Sequence, residues 1–318
     1  MHARRGWCVA AAAVAALAAC SSPAPLETET SVPSSSPAGV DVDALTLVDT
    51  PPSLPARGAL PYHGTERAPA DQLVWSQEFD GPEGGSVEDE VWIVNDWVHN
   101  PEEGLVAWTP RPENVSLTGD GALRLTAREE EWEDPYGDRA EYTSGRLETE
   151  NAFRYGRIEA RINASAGQGT LTAFWMLGRY FDDAENWPAA GEIDIVEMLG
   201  DGSRAFGTVH GGTDIGGHWQ AGDSLESSGT WANSWHVYLL DWEPDSITIS
   251  VDDEPYFTFT REDLAEDQVW SFDEPQHILL TLAVGGDWAG DPTDPAAFPS
   301  TMLIDYIRVY GSELHPRL

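Results

Sequence analysis

The chain has 318 residues, of which 55 are acidic and 17 basic, for a formal charge of -38 at neutral pH. A molecule so acidic repels polyanions, which argues against nucleic acid and anionic lipid surfaces as partners. Its 41% hydrophobic residues, 30 Gly, 22 Pro and 14 Trp fit one large globular domain with tails, not a fibrous or disordered chain. Every one of the 17 basic residues is arginine, a bias that either base composition or salt adaptation produces, the former needing no functional argument.

Read from the N-terminus, Arg4 and Arg5 precede an apolar stretch from Cys8 to Ala19 that is too short to span a bilayer and has the build of an export signal. Leu17-Ala18-Ala19-Cys20, followed by Ser21-Ser22, is similar to the bacterial lipobox, in which the signal is cut before the cysteine and the cysteine is acylated. These residues predict an exported lipoprotein held to the membrane by lipid on Cys20, at the cell surface or in the periplasm. Cys8 and Cys20 are the only cysteines, so the domain holds no disulfide framework. Residues 21–70 are rich in Pro, Ser, Thr and Ala and poor in aromatics, which predicts a disordered tether, with the globular domain over 71–318.

From there the hydrophobic pattern alternates with a period of two. Strands are expected over Ala122 to Arg128, Arg157 to Asn163, Leu171 to Met176, Ile193 to Met198, His236 to Trp242, Ile247 to Val251, His277 to Val284 and Met302 to Tyr310. One or two helical turns are expected within Arg261 to Val269. Many short strands separated by Gly, Pro, Asp and Asn define an all-β antiparallel sandwich or barrel, with one sheet face on the core and the other free to line a cleft.

The segment Glu192-Ile193-Asp194-Ile195-Val196-Glu197 carries the chemistry. In a regular strand Glu192 and Asp194 share a face and Glu197 falls on the other. A β-bulge around Ile195-Val196 restores Glu197 to the carboxylate face. Three carboxylates in a row, with few basic neighbours, must share protons, and this is the condition for paired-carboxylate acid/base chemistry. A glutamate separation of about 5 to 5.5 Å fits a retaining glycosidase, and one of about 6.5 to 9.5 Å an inverting one. The spacing alone is weak evidence in so acidic a chain. The context is more telling, with Trp187-Pro188 just before and Phe174-Trp175-Met176-Leu177-Gly178 upstream, because indole rings beside carboxylates suit a sugar-binding cleft.

With these motifs stand Trp75-Ser76-Gln77-Glu78-Phe79-Asp80-Gly81, Tyr142 to Leu147, Tyr155 to Arg161, Leu282-Ala283-Val284-Gly285-Gly286 and Ile304 to Tyr310. Together and in this order, over most of residues 71 to 312, they resemble the laminarinase-type β-1,3-glucanases of glycoside hydrolase family 16. The resemblance implies a concanavalin A-like jelly roll whose open concave sheet binds a neutral polysaccharide, a β-1,3-glucan; the chain is expected to be a monomer. It implies Glu192 as nucleophile, Glu197 as acid/base and Asp194 as the assisting carboxylate. The bulged form of the signature is similar to that of laminarinases, agarases and carrageenases and differs from the lichenase form. Hydrolysis or transglycosylation of another polysaccharide, such as a mixed-linkage glucan or a galactan, and non-catalytic glucan binding on the same fold remain open readings.

The resemblance also implies binding roles. Trp187 would floor the cleavage point, or else cap the strand edge. His210 matches a histidine near the acid/base, and Arg146 a cleft arginine that either meets sugar hydroxyls or pairs with Glu148 or Glu159. Trp175 divides between core and cleft. Trp108 and Trp288 are expected on loops, lining outer subsites or folding back on the sandwich. Leu171-Thr172 and Asp287 depart from the family pattern at positions that shape subsites. Unbroken alternation puts Asp305 on an apolar face with Leu303, Ile307 and Val309, where a carboxylate needs a partner. A structural Ca²⁺ held by Glu78, Asp305 and the Gly121 carbonyl is the implied metal site, with a paired, metal-free aspartate as its alternative.

Overall fold

The computed structural model describes residues 69–99, 105–134, 137–178 and 187–316. The expected export signal, lipidated Cys20 and tether lie outside the described residues.

Two stacked sheets form the domain. In the eight-stranded sheet the order is His218–Glu226, Arg204–Gly212, Glu192–Leu199, Thr170–Gly178, Gln276–Val284, Arg146–Arg154 and Glu313–His315, with Trp92–Val94 added along Arg146–Arg154. The eleven-stranded sheet runs Glu254–Thr260, Ser246–Val251, Trp235–Glu243, Gly156–Asn163, Ser300–Tyr310, Leu123–Glu133, Arg139–Ser144, Val106–Trp108 and Trp97–His99, with Leu73–Gln77 and Val115–Leu117 alongside. Every strand read from alternation is present. Pairing is antiparallel except for Val106–Trp108 against Arg139–Ser144, which is parallel. The expected helical segment is a single 3-10 turn, Arg261–Asp263.

The core lies between the sheets. Phe174, Met176, Ile193, Met198, Val209, Ile278 and Leu280 from one sheet meet Ile158, Ile162, Tyr238, Leu240, Trp242, Ile249, Met302 and Ile307 from the other. Each such side chain stabilises the fold by roughly 1.5–3 kcal/mol when buried, so the apolar set decides which face of each strand turns inward. The opposite face of the eight-stranded sheet is left with polar and aromatic side chains.

Asp305 corrects the reading made from alternation. The register between Ser300–Tyr310 and Gly156–Asn163 shifts between Ile304 and Tyr306, so Asp305 occupies a bulge. The apolar face is Met302, Ile304, Ile307 and Val309, and Asp305 is partly exposed, paired to Arg161 Nη1 at 2.7 Å. Glu78 is gripped in a fork by Arg308, whose Nε and Nη2 donate at 3.0 and 2.9 Å. Gly121, at φ 93°, sits in the tight turn closed by Thr118 N donating to Ala122 O. The carboxylates expected to hold calcium, Glu78 and Asp305, are thus each paired with a different guanidinium group.

Candidate active site

The strand Glu192–Leu199 lies inside the eight-stranded sheet, between Thr170–Gly178 and Arg204–Gly212. Gly191 leads into it at φ 78°, and a Cβ there would lie 2.2 Å from Ser271 O, so the chain can enter the strand only without a side chain. The expected bulge is present. Asp194 pairs with Thr208 and Glu197 with Phe206, so Ile195 and Val196 together face Gly207. On the other side Trp175 pairs with Asp194 and Phe174 with Val196. Ile193, Ile195, Val196 and Met198 all enter the core, while Glu192, Asp194 and Glu197 share the open face.

The three carboxylates are 3%, 3% and 9% exposed. Burial pushes the Glu197 carboxyl well above the ordinary 4.5, and the charges of Asp194 and Glu192 push it the same way. Burial and Asp194 also push Glu192 up, to about 8, even though two influences act the other way: the positive charge available on His210, and the indole of Trp187. Trp187 Nε1 donates to Glu192 Oε2 at 2.7 Å. The two glutamates therefore differ. Only Glu192 has partners that favour its ionised form.

His210 stands opposite Glu192 on the neighbouring strand, with Nε2 3.2 Å from Asp194 Oδ2. Its Nδ1 lies 2.9 Å from His218 Nε2. Burial disfavours charge on His210, but Asp194 and then Glu192 hold its pKa above the ordinary 6.5. His218 is lowered by its own burial and by the charge of His210. The carboxylates thus make His210 the more basic of the two imidazoles, with Asp194 on one side of its ring and His218 on the other. Glu192, Asp194 and His210 offer atoms within 4.8 Å of one another, a spacing that a cation could bridge.

Aromatic rings flank the row. The Trp187 ring lies 4.8 Å from His218, at the Glu192 end. At the Glu197 end Trp288 packs edge-on against Phe206, 5.0 Å between centroids. Trp288 belongs to a four-residue helix, Gly286–Ala289. Trp175 pairs with Asp194, packs partly buried against Leu177 and Leu279, and donates from Nε1 to Thr281 Oγ1 at 3.0 Å. Arg146 is buried, donates to Asn95 Oδ1 at 2.7 Å, lies 4.0 Å from Glu148 and presents its guanidinium to the rings of Trp97, Trp108 and Trp175. Glu148 is thus its acidic partner, while Glu159 lies on the other sheet.

Trp108 differs from its expectation. It lies in the strand Val106–Trp108, 4% exposed, edge-on to Trp97 at 4.7 Å and 4.6 Å from His99. It walls Arg146 rather than projecting from a loop. The sequence reading missed His218, Phe206, Trp97, His99 and Asn95. A hairpin around Thr213 to Gly217 would have brought His218 near His210, because Gly212 pairs with His218 across it.

A buried carboxylate row on one face of a β-sandwich, edged by indoles and lacking a serine or cysteine nucleophile among its residues, defines a glycosidase-type site. Comparison with known proteins agrees. The family model for glycosyl hydrolases family 16 matches residues 103–308. The chain is 38% identical over 260 residues to a β-glucanase of Rhodothermus marinus, covering 77% of this chain and 87% of that one. It is 32% identical over 265 residues to glucan endo-1,3-β-glucosidase A1 of Niallia circulans, covering 76% of this chain and 38% of that longer protein. The structure of the laminarinase from Rhodothermus marinus superposes with a TM-score of 0.67 at 37% identity, covering 77% of this chain and 99% of that one. The chain belongs to glycosyl hydrolase family 16, and it is a glycoside hydrolase.

Proposed function

We propose that the protein is a retaining endo-hydrolase of β-1,3-glucan, with Glu192 as nucleophile, Glu197 as acid/base and Asp194 as the assisting carboxylate. The observation that carries the assignment is the asymmetry between the glutamates. Glu192 is itself raised to about 8, but Trp187 donates to it and His210 faces it, and both partners act toward its carboxylate. Glu197 is raised by burial and by its two acidic neighbours with nothing to oppose them, which favours its proton. A carboxylate suits attack and a carboxylic acid suits leaving-group protonation.

In the first step Glu192 attacks the anomeric carbon while Glu197 gives its proton to the glycosidic oxygen; the carbon–oxygen bond breaks and the leaving chain departs as an alcohol. In the second, Glu197 takes a proton from water, which attacks the same carbon and expels the Glu192 carboxylate. Asp194, between Glu192 and His210, stabilises the changing charge on Glu192. The β-1,3 linkage is supported by the relatives described as a glucan endo-1,3-β-glucosidase and a laminarinase, and the bulged signature argues only against the lichenase form. The formal charge of -38 disfavours sulfated galactans.

The test is reducing-sugar release by the full chain on laminarin, curdlan, lichenan and agarose, with proton NMR of the first product anomer. Release from laminarin and curdlan, with the β-anomer appearing first, is expected, and Glu192→Ala should abolish it. Laminarin binding without release by the parent would leave a glucan-binding protein and sink the enzymatic assignment. Export as a lipoprotein is supported by Leu17-Ala18-Ala19-Cys20. Fatty-acid labelling of the expressed chain that is lost in Cys20→Ala would establish the membrane anchor.

A further inference from the structure

The bulge that aligns the carboxylates frees a backbone carbonyl in the interior. A bulged residue leaves the ladder, and a buried carbonyl without a donor is destabilising. Here the donor comes from the other sheet, where Tyr256 Oη donates to Ile195 O at 3.0 Å.

Tyr256 reaches inward because it is itself bulged. In the pairing of Ser246–Val251 with Glu254–Thr260, Ile249 faces Phe257 and Ser250 faces Pro255, so Tyr256 is the extra residue between them. The gap it fills is prepared on the opposite strand. Gly207 is the single residue facing Ile195 and Val196, and a Cβ there would lie 3.0 Å from Tyr256 Oη and 3.1 Å from its ring. Two bulges, one in each sheet, thus meet across the sandwich through one hydrogen bond, over a glycine that leaves room for it.

We propose that Tyr256 is a positioning residue for the reaction, whose hydroxyl locks the Ile195–Val196 bulge and so holds Glu197 in line with Asp194 and Glu192. This rests on the reading of Glu197 as acid/base. Without the hydroxyl the bulge relaxes, and Glu197 turns away from the two carboxylates that raise it. The groups facing Glu197 are Asp194 and Glu192 on its own strand and Tyr256 beneath; Ala173 and Phe206, beside it on the neighbouring strands, carry no charge.

Tyr256→Phe in the full chain removes the donor and keeps the ring. The expected result is a fall in kcat on the order of 10-fold on laminarin with KM little changed, as for a small misplacement of a reacting group. The alkaline limb of the kcat/KM profile, and the pKa of the Glu197 carboxyl followed by ¹³C NMR, should both move down. Gly207→Ala, which crowds the tyrosine, should act in the same direction. Tyr238→Phe is the control, because the buried Tyr238 hydroxyl has no hydrogen-bond partner.

An unchanged kcat and an unchanged Glu197 titration in Tyr256→Phe would overturn the proposal, even with a lower Tm. An equal shift in Tyr238→Phe would overturn it as well. The carbon titration separates this proposal from the function. An inactive parent whose Glu197 titration still falls in Tyr256→Phe would sink the glucanase reading and leave the lock standing.

Discussion

Replacing Trp187 by Phe isolates the hydrogen bond that distinguishes the two glutamates. The indole donates to Glu192 Oε2 at 2.7 Å, and phenylalanine keeps an aromatic ring while losing the N–H. A hydrogen bond to a charged group contributes about 1.5–3 kcal/mol, and Trp187 is only partly buried, so the lower end, about 1.5 kcal/mol, applies. At 1.36 kcal/mol per pKa unit, the Glu192 carboxyl should rise by about one unit. The sign follows from the chemistry, since the donor favours the carboxylate and its loss favours the acid. The acid limb of kcat/KM, which reports ionisation of the nucleophile, should move about one unit toward higher pH. Activity on laminarin should fall about tenfold on the acid side of the limb and converge with the parent above it. An acid limb that stays within about 0.2 units of the parent would refute the argument that Trp187 sets the charge of Glu192.

Further outcomes follow from the same site. Glu197→Gln should lower laminarin hydrolysis on the order of 10² to 10⁴-fold and leave a substrate with an acidic, activated leaving group much less affected. It should also raise Tm near neutral pH: the folded-state pKa of Glu197 lies above its unfolded value, so its contribution to stability is present in full below about 4.5 and is lost as pH rises through the folded pKa. The two melting curves should converge in acid, and a Tm gap independent of pH would contradict the assignment. Asp194→Asn removes the charge that raises His210, so the His210 imidazole should titrate at lower pH by NMR; an unchanged value would contradict the pairing of His210 with Asp194. Because Arg308 and Arg161 hold Glu78 and Asp305, Tm should be indifferent to EDTA and added Ca²⁺ while Arg308→Ala lowers it. A Tm that drops with EDTA would contradict that pairing.

Much of the site was legible because a phase error in one strand has one simple repair. Glu197 is out of step with Glu192 and Asp194, and the bulge that restores it is the one observed. The same logic missed Asp305, whose flanking residues alternate well enough to hide a second bulge. Arg204–Gly212 was not read as a strand because glycines interrupt it, and their reason is tertiary: Gly207 clears Tyr256, and a Cβ on Gly211 would lie 2.4 Å from the Trp219 ring. The cage around Arg146 escaped for a related reason. Trp97, Trp108 and Trp175 come from strands distant in sequence, and only the sheet order brings them to one guanidinium. Local pattern thus reveals which face a residue takes, while the partners on that face depend on pairings that alternation does not specify.

The central claim is that Glu192 forms a covalent bond to the sugar. A 2-fluoro laminaribioside with an activated leaving group slows the second step more than the first, so the intermediate accumulates and can be digested and sequenced by mass spectrometry. One added 2-fluoro-laminaribiosyl group is expected on the peptide carrying Glu192, with β-configured product from ordinary substrate. A label on Glu197, or α-configured first product with no labelled peptide, would contradict it.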